Sequence, residues 1–406
     1  MGTLTIGKPE VSSADGWTRL SVPVSLGEKH SNLWVQVEDQ YAHGLCADRV
    51  DGFVVGVLSY AIKNRLDIAF EAPITNLLKE QLERDFIDVV CQQEPQLYPV
   101  QLTGETIAPI YKQKVVRAMG LSCGVDCLYT VHHRMLNAEG ERYFVMSDAH
   151  QRSRKDTVES AANRFQPLYE NGREFSAKLG IPLIVVRTNW GEDALPGLDI
   201  DNNTTYCNCF VALVLQNLFT HYYLASGGPV QDFGIRYLKL GLLNTDSSDY
   251  DLLSLSAYSI PAIRFIVDGL AERVAKIRDL LSWPVCWNNL DVCLKHYRHQ
   301  RGNDTCDCHK CMHTVCAIMS QEGMEGLEKF SKVFDVDYVR AHRAEYLAYT
   351  ICQRVERSEI GLEIWKGRTR EGCTVWDYIH AMYIIVRKQI RKFIRNKPAP
   401  RSWADI

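Results

Sequence analysis

The sequence predicts an α/β protein built around a parallel sheet with crossover helices. Between residues 113 and 320, short apolar runs alternate with helical stretches, which is the pattern of strands buried on both faces. The chain has 406 residues, which is too long for one small domain. We therefore predict three parts: an N-terminal α+β domain over 1–112, the parallel-sheet domain over 113–320 and a helical region over 321–406. The predicted strands of the sheet are VVRAMGL (115–121), RYFVMSD (142–148), LIVVRT (183–188) and HYYLAS (221–226).

The flanking regions carry different patterns. In the N-terminal part, LWVQV (33–37) and GFVVGV (52–57) are interpreted as strands. ITNLLKEQLERDFIDVV (74–90) has the spacing of an amphipathic helix. The C-terminal part is predicted to be helical until the prolines of KPAPRSW (397–403) end the pattern.

Composition and charge exclude several classes of protein. Hydrophobic residues make up 46% and charged residues 23%, so the chain can bury a sizeable core. A net charge of -3 gives no general attraction to nucleic acid or to an acidic membrane.

The start MGTLTIGKPE lacks a signal-peptide pattern, and Ile6 breaks the myristoylation pattern. The apolar run from Cys209 includes Gln216 and His221, so it predicts a buried helix followed by a strand, without a membrane span. We predict a cytoplasmic protein. In that reducing compartment, clusters among the 14 cysteines are expected to bind a metal or act in catalysis rather than to form disulfides.

The first predicted strand of the sheet leads into the segment Ser122-Cys123-Gly124. Loops that follow parallel strands bind ligands, and backbone N–H groups at such a turn form an anion cradle. Gly124 is expected to allow close approach and a positive φ, Ser122 to donate a hydroxyl, and Asp126 to cap the helix or orient the loop. The expected ligand is a phosphate or pyrophosphate. A plain strand-turn-helix corner, or a redox or metal pair of Cys123 and Cys127, is the alternative.

A second signal is a group of cysteines between residues 293 and 311. Cys308-x-x-Cys311 has zinc-knuckle spacing, and Cys306 and Cys293 can complete a structural site of four thiolates. Cys286 is an alternative fourth ligand. Scattered reduced cysteines on a helix are the alternative to any metal site. Further possible ligands are His309, His313 and Cys316.

The segment from Leu121 to Cys127 resembles the S-G-G-x-D-S pyrophosphate loop of the PP-loop ATP pyrophosphatases. Ser122, Gly124 and Asp126 match that motif, whereas Cys123 and Cys127 replace a glycine and a serine. The resemblance implies that ATP is cleaved between its α and β phosphates, with Mg²⁺ on the phosphates. It implies an ATP and pyrophosphate site in Leu121, Ser122, Cys123, Gly124, Val125, Asp126 and Cys127, with catalytic roles for Ser122, Gly124, Asp126 and Cys127.

The order of the two motifs resembles the 7-cyano-7-deazaguanine synthase (QueC) family. It resembles most a longer QueC-like group that includes QatC-type proteins of bacterial antiphage defence. The cysteine block of that group corresponds to LDVC (290–293) and NDTCDCHKCMHT (303–314), with the first cysteine of the triple displaced to Cys306. FIVDGLAERVAKI (265–277) occupies the place of a TK element in QueC, which makes Arg273, and after it Lys276, a candidate ligand of a phosphate or carboxylate. A solvated helix face is the alternative for both residues.

The resemblance implies an ATP-dependent ligase. Its members adenylate 7-carboxy-7-deazaguanine, release pyrophosphate and AMP, and couple the acyl group to an amine; in the long group this is the N-terminal amine of a partner protein. The alternatives are a nitrile-forming synthase that uses ammonia, a PP-loop tRNA-modifying enzyme, and an inactive scaffold stabilised by Zn²⁺. Nucleic acid is not the expected partner. No general base is assigned among His132, His133, Asp148 and His150.

The last predicted helix is basic and amphipathic. Arg387, Arg391 and Arg395 follow one another at helical spacing, with Lys388 and Lys392 beside them. Such a helix binds acidic partners or RNA in some proteins, but a helix docked on its own domain with a solvated basic face is the preferred interpretation.

Overall fold

The computed structural model describes residues 2–93, 97–149, 158–191, 194–198, 201–233, 246–293, 308–355 and 359–394. Cys306, His150, Arg395 and the KPAPRSW segment lie outside the described residues. The chain forms two compact units, residues 1–121 with 133–270, and residues 122–132 with 271–406. The domain boundaries at 112 and 320 stay a prediction.

The first unit contains all strands among the described residues. They are β1 (Gly2–Ile6), β2 (Glu10–Ala14), β3 (Trp17–Leu26), β4 (Lys29–Glu38), β5 (Leu66–Phe70), β6 (Ile74–Thr75), β7 (Leu102–Thr103), β8 (Thr106–Ile107), β9 (Val116–Gly120), β10 (Glu141–Ser147), β11 (Leu183–Thr188), β12 (His221–Ala225) and β13 (Arg264–Asp268).

Eleven of these strands join in one sheet with the order β13-β12-β9-β10-β11-β4-β3-β1-β5-β7, and β2 pairs with β3. The five strands from β13 to β11 are parallel to one another. β11 then pairs antiparallel with β4, which joins this half of the sheet to the N-terminal strands. The α/β class is therefore confirmed, and the four strands predicted between residues 115 and 226 all form.

Helices of the first unit cover the sheet. They are α1 (Asp51–Asn64), α2 (Asn76–Gln81), α3 (Asp88–Gln93), α5 (Val158–Leu179), α6 (Thr204–Val214) and α7 (Asp251–Tyr258); α4 (Val125–Thr130) belongs to the second unit. The amphipathic helix predicted over 74–90 forms as α2 and α3, joined by a π-helical turn over Leu82–Ile87. The apolar run from Cys209 forms α6 and then β12, as expected.

The strand predicted over 52–57 is wrong, because this run lies inside α1. All of its residues are buried, so the run has no polar face from which its period could be read. Gly52 and Gly56 lie on the side that meets α6: a Cβ at Gly52 would come within 2.9 Å of the Phe210 carbonyl oxygen, and one at Gly56 within 3.0 Å of the Phe210 ring. The two glycines therefore serve close helix packing.

The described residues of the second unit form helices joined by loops and no strand, and helices are the elements predicted for the C-terminal part. Its helices are α4 (Val125–Thr130), α8 (Arg273–Leu281), α9 (His309–Glu328), α10 (Val336–Ala341), α11 (Arg343–Val355), α12 (Glu359–Lys366) and α13 (Val375–Ile394). α4 continues into a π-helical turn over Val131–Met135, and α9 is kinked at Gly323, where φ is 64°. No described helix is both long enough and apolar enough to span a membrane.

Candidate functional site

The loop between β9 and α4 has an alternating pattern of burial. Ser122 is exposed and Gly124 and Asp126 are half-buried, whereas Leu121, Cys123, Val125 and Cys127 are buried. The three positions that match the pyrophosphate-loop motif are thus the accessible ones. The two cysteines that depart from the motif lie on the buried side.

Backbone geometry corrects the expectation about glycine in this loop. Gly124 has φ −74° and ψ 169°, which is extended backbone at the N-cap of α4. The positive φ falls one residue earlier, at Cys123, whose φ is 56°. A left-handed conformation costs a residue with a Cβ roughly 1–2 kcal/mol. The position where the motif has glycine is therefore the one where this chain holds a strained cysteine.

The sulfur of Cys127 closes the loop. The Ser122 backbone N–H donates to Cys127 Sγ over 3.3 Å, and the Gly124 N–H donates to Ser122 Oγ over 3.3 Å. Burial raises the pKa of the Cys127 thiol, so the group is neutral at physiological pH. Cys127 is thus an internal acceptor of the loop, in the position where the motif has a serine hydroxyl.

Asp126 is held by two cations from α8. Arg273 donates to one carboxylate oxygen over 2.8 Å, and Lys276 donates to the other over 2.8 Å. The Lys276 side chain is fully buried, while those of Asp126 and Arg273 are 22% and 24% exposed. The three groups carry a net charge of +1, and Asp126 and Arg273 remain partly open to solvent.

The expectation that Asp126 caps α4 is wrong. The N-cap residue of α4 is Gly124, which has no side chain that could cap the helix. Asp126 lies inside the first turn, and its carboxylate turns to α8 because two cations outcompete a neutral N–H donor. Asp126 therefore orients the loop through Arg273 and Lys276, which is the other role expected for it.

Three cysteines of the predicted metal site come together. The Sγ atoms of Cys293, Cys308 and Cys311 lie within 4.8 Å of one another, and all three residues are buried. Cys308 is the N-cap of α9, and its sulfur accepts from the Cys311 backbone N–H over 3.4 Å. Hydrogen bonds with the neighbouring sulfurs of Cys293 and Cys308, together with burial, raise the pKa of Cys311.

This donor set fits a zinc ion. Thiolates bind Zn²⁺ at about 2.3 Å, which places the sulfurs of a tetrahedral site roughly 3.8 Å apart. The observed separations of at most 4.8 Å are compatible with that spacing. Cys306, which the sequence predicted as a further ligand, lies outside the described residues.

The alternative ligands do not join the cluster. Cys286 donates to the Trp283 carbonyl over 3.1 Å, and burial raises its pKa to about 12. Cys316 accepts from Thr350 within the helical packing. His313 bonds to the Tyr349 hydroxyl over 2.8 Å, and burial, together with the charge of Arg273, lowers the pKa of His313 to about 4. The choice of Cys293 over Cys286 therefore agrees with the geometry.

The loop and the cysteine cluster are joined through Asp291, which the sequence analysis missed. The Asp291 N–H donates to the carbonyl oxygen of Cys123 over 2.8 Å, two residues before Cys293. The Asp291 carbonyl also lies 3.6 Å from where a Cβ on Gly124 would stand. A metal at Cys293 would thus fix the segment that supports the loop. The contact is through the backbone, so no side-chain pattern could have revealed it.

A second contact that sequence reasoning missed involves His132. Its Nδ1 lies 2.7 Å from an Asp279 carboxylate oxygen, and its ring stacks on Trp283 with centroids 4.7 Å apart. In the first unit, Asp148 is buried and accepts from the Thr188 N–H over 3.0 Å. Neither group is assigned as a general base.

No family model matches this chain, and neither a curated protein nor a solved structure is significantly similar to it. Its chemistry is therefore inferred from the residues of the candidate site.

Proposed function

We propose that this chain is a QueC-like ATP-dependent ligase of the PP-loop kind. It adenylates the carboxylate of 7-carboxy-7-deazaguanine and couples the acyl group to an amine. The amine is the N-terminal amine of a partner protein, as the resemblance to QatC-type proteins of antiphage defence implies. Zn²⁺ is the structural metal and Mg²⁺ accompanies ATP.

The observation that carries the proposal is the convergence of Arg273 and Lys276 on Asp126. A buried lysine is rarely retained without an anionic partner. These two cations and the one carboxylate sum to a charge of +1, and the exposed residue Ser122 lies on the same loop as Asp126. A pyrophosphate group would complement that charge, and Arg273 is accessible enough to contact it.

The proposed reaction has two balanced steps. A carboxylate oxygen of the substrate attacks the α-phosphorus of ATP, the bond from that phosphorus to the bridging oxygen of the β-phosphate breaks, and pyrophosphate leaves. The amine nitrogen then attacks the acyl carbon, the C–O bond to AMP breaks, and the amine proton passes to solvent or a base. Ser122, Arg273 and Lys276 act in the first step, where negative charge accumulates on the leaving group.

The cysteine cluster has a structural role in this proposal. Cys293, Cys308 and Cys311 would hold Zn²⁺, which supplies a cross-link between α9 and the segment that bonds to the loop at Cys123. The burial of Cys123 and Cys127, with the raised pKa of Cys127, disfavours sulfur transfer from this loop. Adenylation is therefore preferred over a tRNA thiolation.

The first test is release of AMP and pyrophosphate from ATP with Mg²⁺, measured by mass spectrometry with and without 7-carboxy-7-deazaguanine. We expect both products only with that carboxylate. Arg273→Ala should lower the rate at least tenfold. Arg278→Ala is the matched control, because Arg278 lies on the same helix but bonds to Gln321 over 2.8 Å.

Two outcomes would contradict the proposal. Products formed equally well without the carboxylate would show that the substrate class is wrong. A folded, metal-containing protein that leaves ATP intact would favour the inactive scaffold. Thermal unfolding of each variant, followed by circular dichroism, separates a lost activity from a lost fold.

A further inference from the structure

Helix α13 is apolar on two faces, and the part of the chain that the structure describes covers one of them. The helix packs against α11; along the covered face Ala381 is buried and Ile384 and Ile385 are half-buried. On another face, five large apolar side chains are between 50% and 77% exposed. These residues form what we call the α13 stripe: Trp376, Ile379, Tyr383, Val386 and Ile390. This helix, which was predicted to dock on its own domain, therefore contacts the other described helices through one face.

The spacing of the α13 stripe fits a helical partner. Successive residues of the stripe are three, four, three and four positions apart. This alternation is the a/d pattern by which one helix packs along another. The stripe runs from Trp376 to Ile390, so it can accommodate about two heptads of a partner helix.

The exposed area of the stripe is larger than the apolar patches found on the surface of a typical monomer. Its five side chains, with Val375 and Met382 beside them, expose on the order of 700–800 Å². The largest apolar patch of a typical monomer is roughly 300–600 Å². A stable protein interface buries about 800 Å² on each partner.

The charges beside the α13 stripe define the partner further. Asp377 is the last acidic residue of the helix, and Arg387, Lys388 and Arg391 follow it. Arg387 and Arg391 are exposed and one turn apart along one border of the stripe. A second copy of the chain would bring the same basic residues, whereas an acidic helix would complement them.

We propose that the α13 stripe binds an acidic amphipathic helix of a partner protein. The partner's apolar residues pack against Ile379, Tyr383 and Val386, and its carboxylates pair with Arg387 and Arg391. This inference does not depend on the proposed ligase activity.

The test uses the full chain and two synthetic three-heptad peptides. Both carry leucine at the a and d positions; one has glutamate and the other lysine at the e and g positions. We expect the acidic peptide to bind at least tenfold more tightly at physiological salt, measured by fluorescence anisotropy. Equal binding of the two peptides, or binding of neither, would overturn the proposal.

Variants separate the apolar and the charged contributions. Ile379→Glu with Val386→Glu should weaken binding of the acidic peptide at least tenfold, whereas Val11→Glu, a change at an exposed valine of β2, should not. Arg387→Glu with Arg391→Glu should reverse the preference, so that the lysine peptide binds better. Sedimentation velocity should show a monomer; a dimer that Ile379→Glu with Val386→Glu dissociates would assign the stripe to a second copy and refute the proposal.

Discussion

Two groups of buried cysteines in the second unit differ in what surrounds their sulfur atoms. In the loop, Cys127 accepts a backbone N–H from Ser122, and Cys123 sits at a positive φ. In the cluster, Cys293, Cys308 and Cys311 point their sulfurs at one another. Burial alone therefore does not decide the role of a cysteine. Cys127 serves as a local acceptor of an N–H bond, whereas the three sulfurs of the cluster, of which that of Cys308 also accepts the Cys311 N–H, have the arrangement of a metal site.

The largest effect should follow from removing the metal. Cys311→Ser should abolish zinc binding and lower the free energy of unfolding by several kcal/mol, because structural zinc sites contribute roughly 10–16 kcal/mol. Metal content by mass spectrometry and urea unfolding test this. Cys286→Ser is the control, since Cys286 is equally buried but bonds to the Trp283 carbonyl. If the purified chain is folded and contains no metal, the proposed difference between the loop cysteines and the cluster cysteines is wrong.

Removing the acceptor in the loop should have a smaller effect. Cys127→Ala leaves the Ser122 N–H without its sulfur acceptor, so we expect a loss of about 1–3 kcal/mol. Cys127→Ser should recover part of the loss, because a hydroxyl accepts the same bond. Urea unfolding of the two variants gives the comparison. Equal stability of the alanine and serine variants would show that the N–H···S contact contributes nothing.

The rate of thiol alkylation should distinguish the loop cysteine Cys127 from the cluster cysteines, and this measurement does not require a large change in stability. Burial and the raised pKa of Cys127 should make its alkylation by iodoacetamide at least tenfold slower than in the urea-unfolded chain. Chelation of the metal should expose the cluster cysteines to alkylation, but not Cys127. Peptide mapping by mass spectrometry after timed labelling measures both rates. Rapid labelling of Cys127 in the native chain would favour a catalytic thiol there.

The smallest effect is expected at Cys123. Glycine has no Cβ and tolerates the φ of 56°, so Cys123→Gly should be about 1 kcal/mol more stable than Cys123→Ala. Comparing the two substitutions cancels the loss of the buried sulfur. Thermal unfolding of both variants is the measurement. The opposite order, which is usual inside helices, would mean that Cys123 does not hold a left-handed conformation.

Much of the fold could be predicted from local patterns. The strands β9, β10, β11 and β12 are short apolar runs between polar turns, and that pattern has few alternatives. The run over 52–57 was assigned wrongly because a segment buried on every side has no periodicity. The pairing of β11 with β4 joins residues about 150 positions apart, and nothing in either strand specifies it.

Some features of the candidate site could likewise be predicted from the sequence, whereas others depend on packing. The spacing of Cys308 and Cys311 was sufficient to predict a metal site, because one helical turn brings i and i+3 together. Arg273 and Lys276 were singled out only by family resemblance. Their convergence on Asp126 depends on the packing of α4 against α8. The contacts of Asp291 with Cys123 and of His132 with Asp279 had no signal in the sequence.

Most of the elements, and the loop that follows β9, could be inferred from the sequence alone, since they depend on neighbours within about one helical turn. The tertiary structure decided which residues meet: two cations on one carboxylate, three sulfurs at one point, and an apolar face of α13 left without a cover among the described residues. The physical reason is that local conformation follows short-range sterics and hydrogen bonds. Charge pairing and metal coordination depend instead on distances that only the packed chain defines.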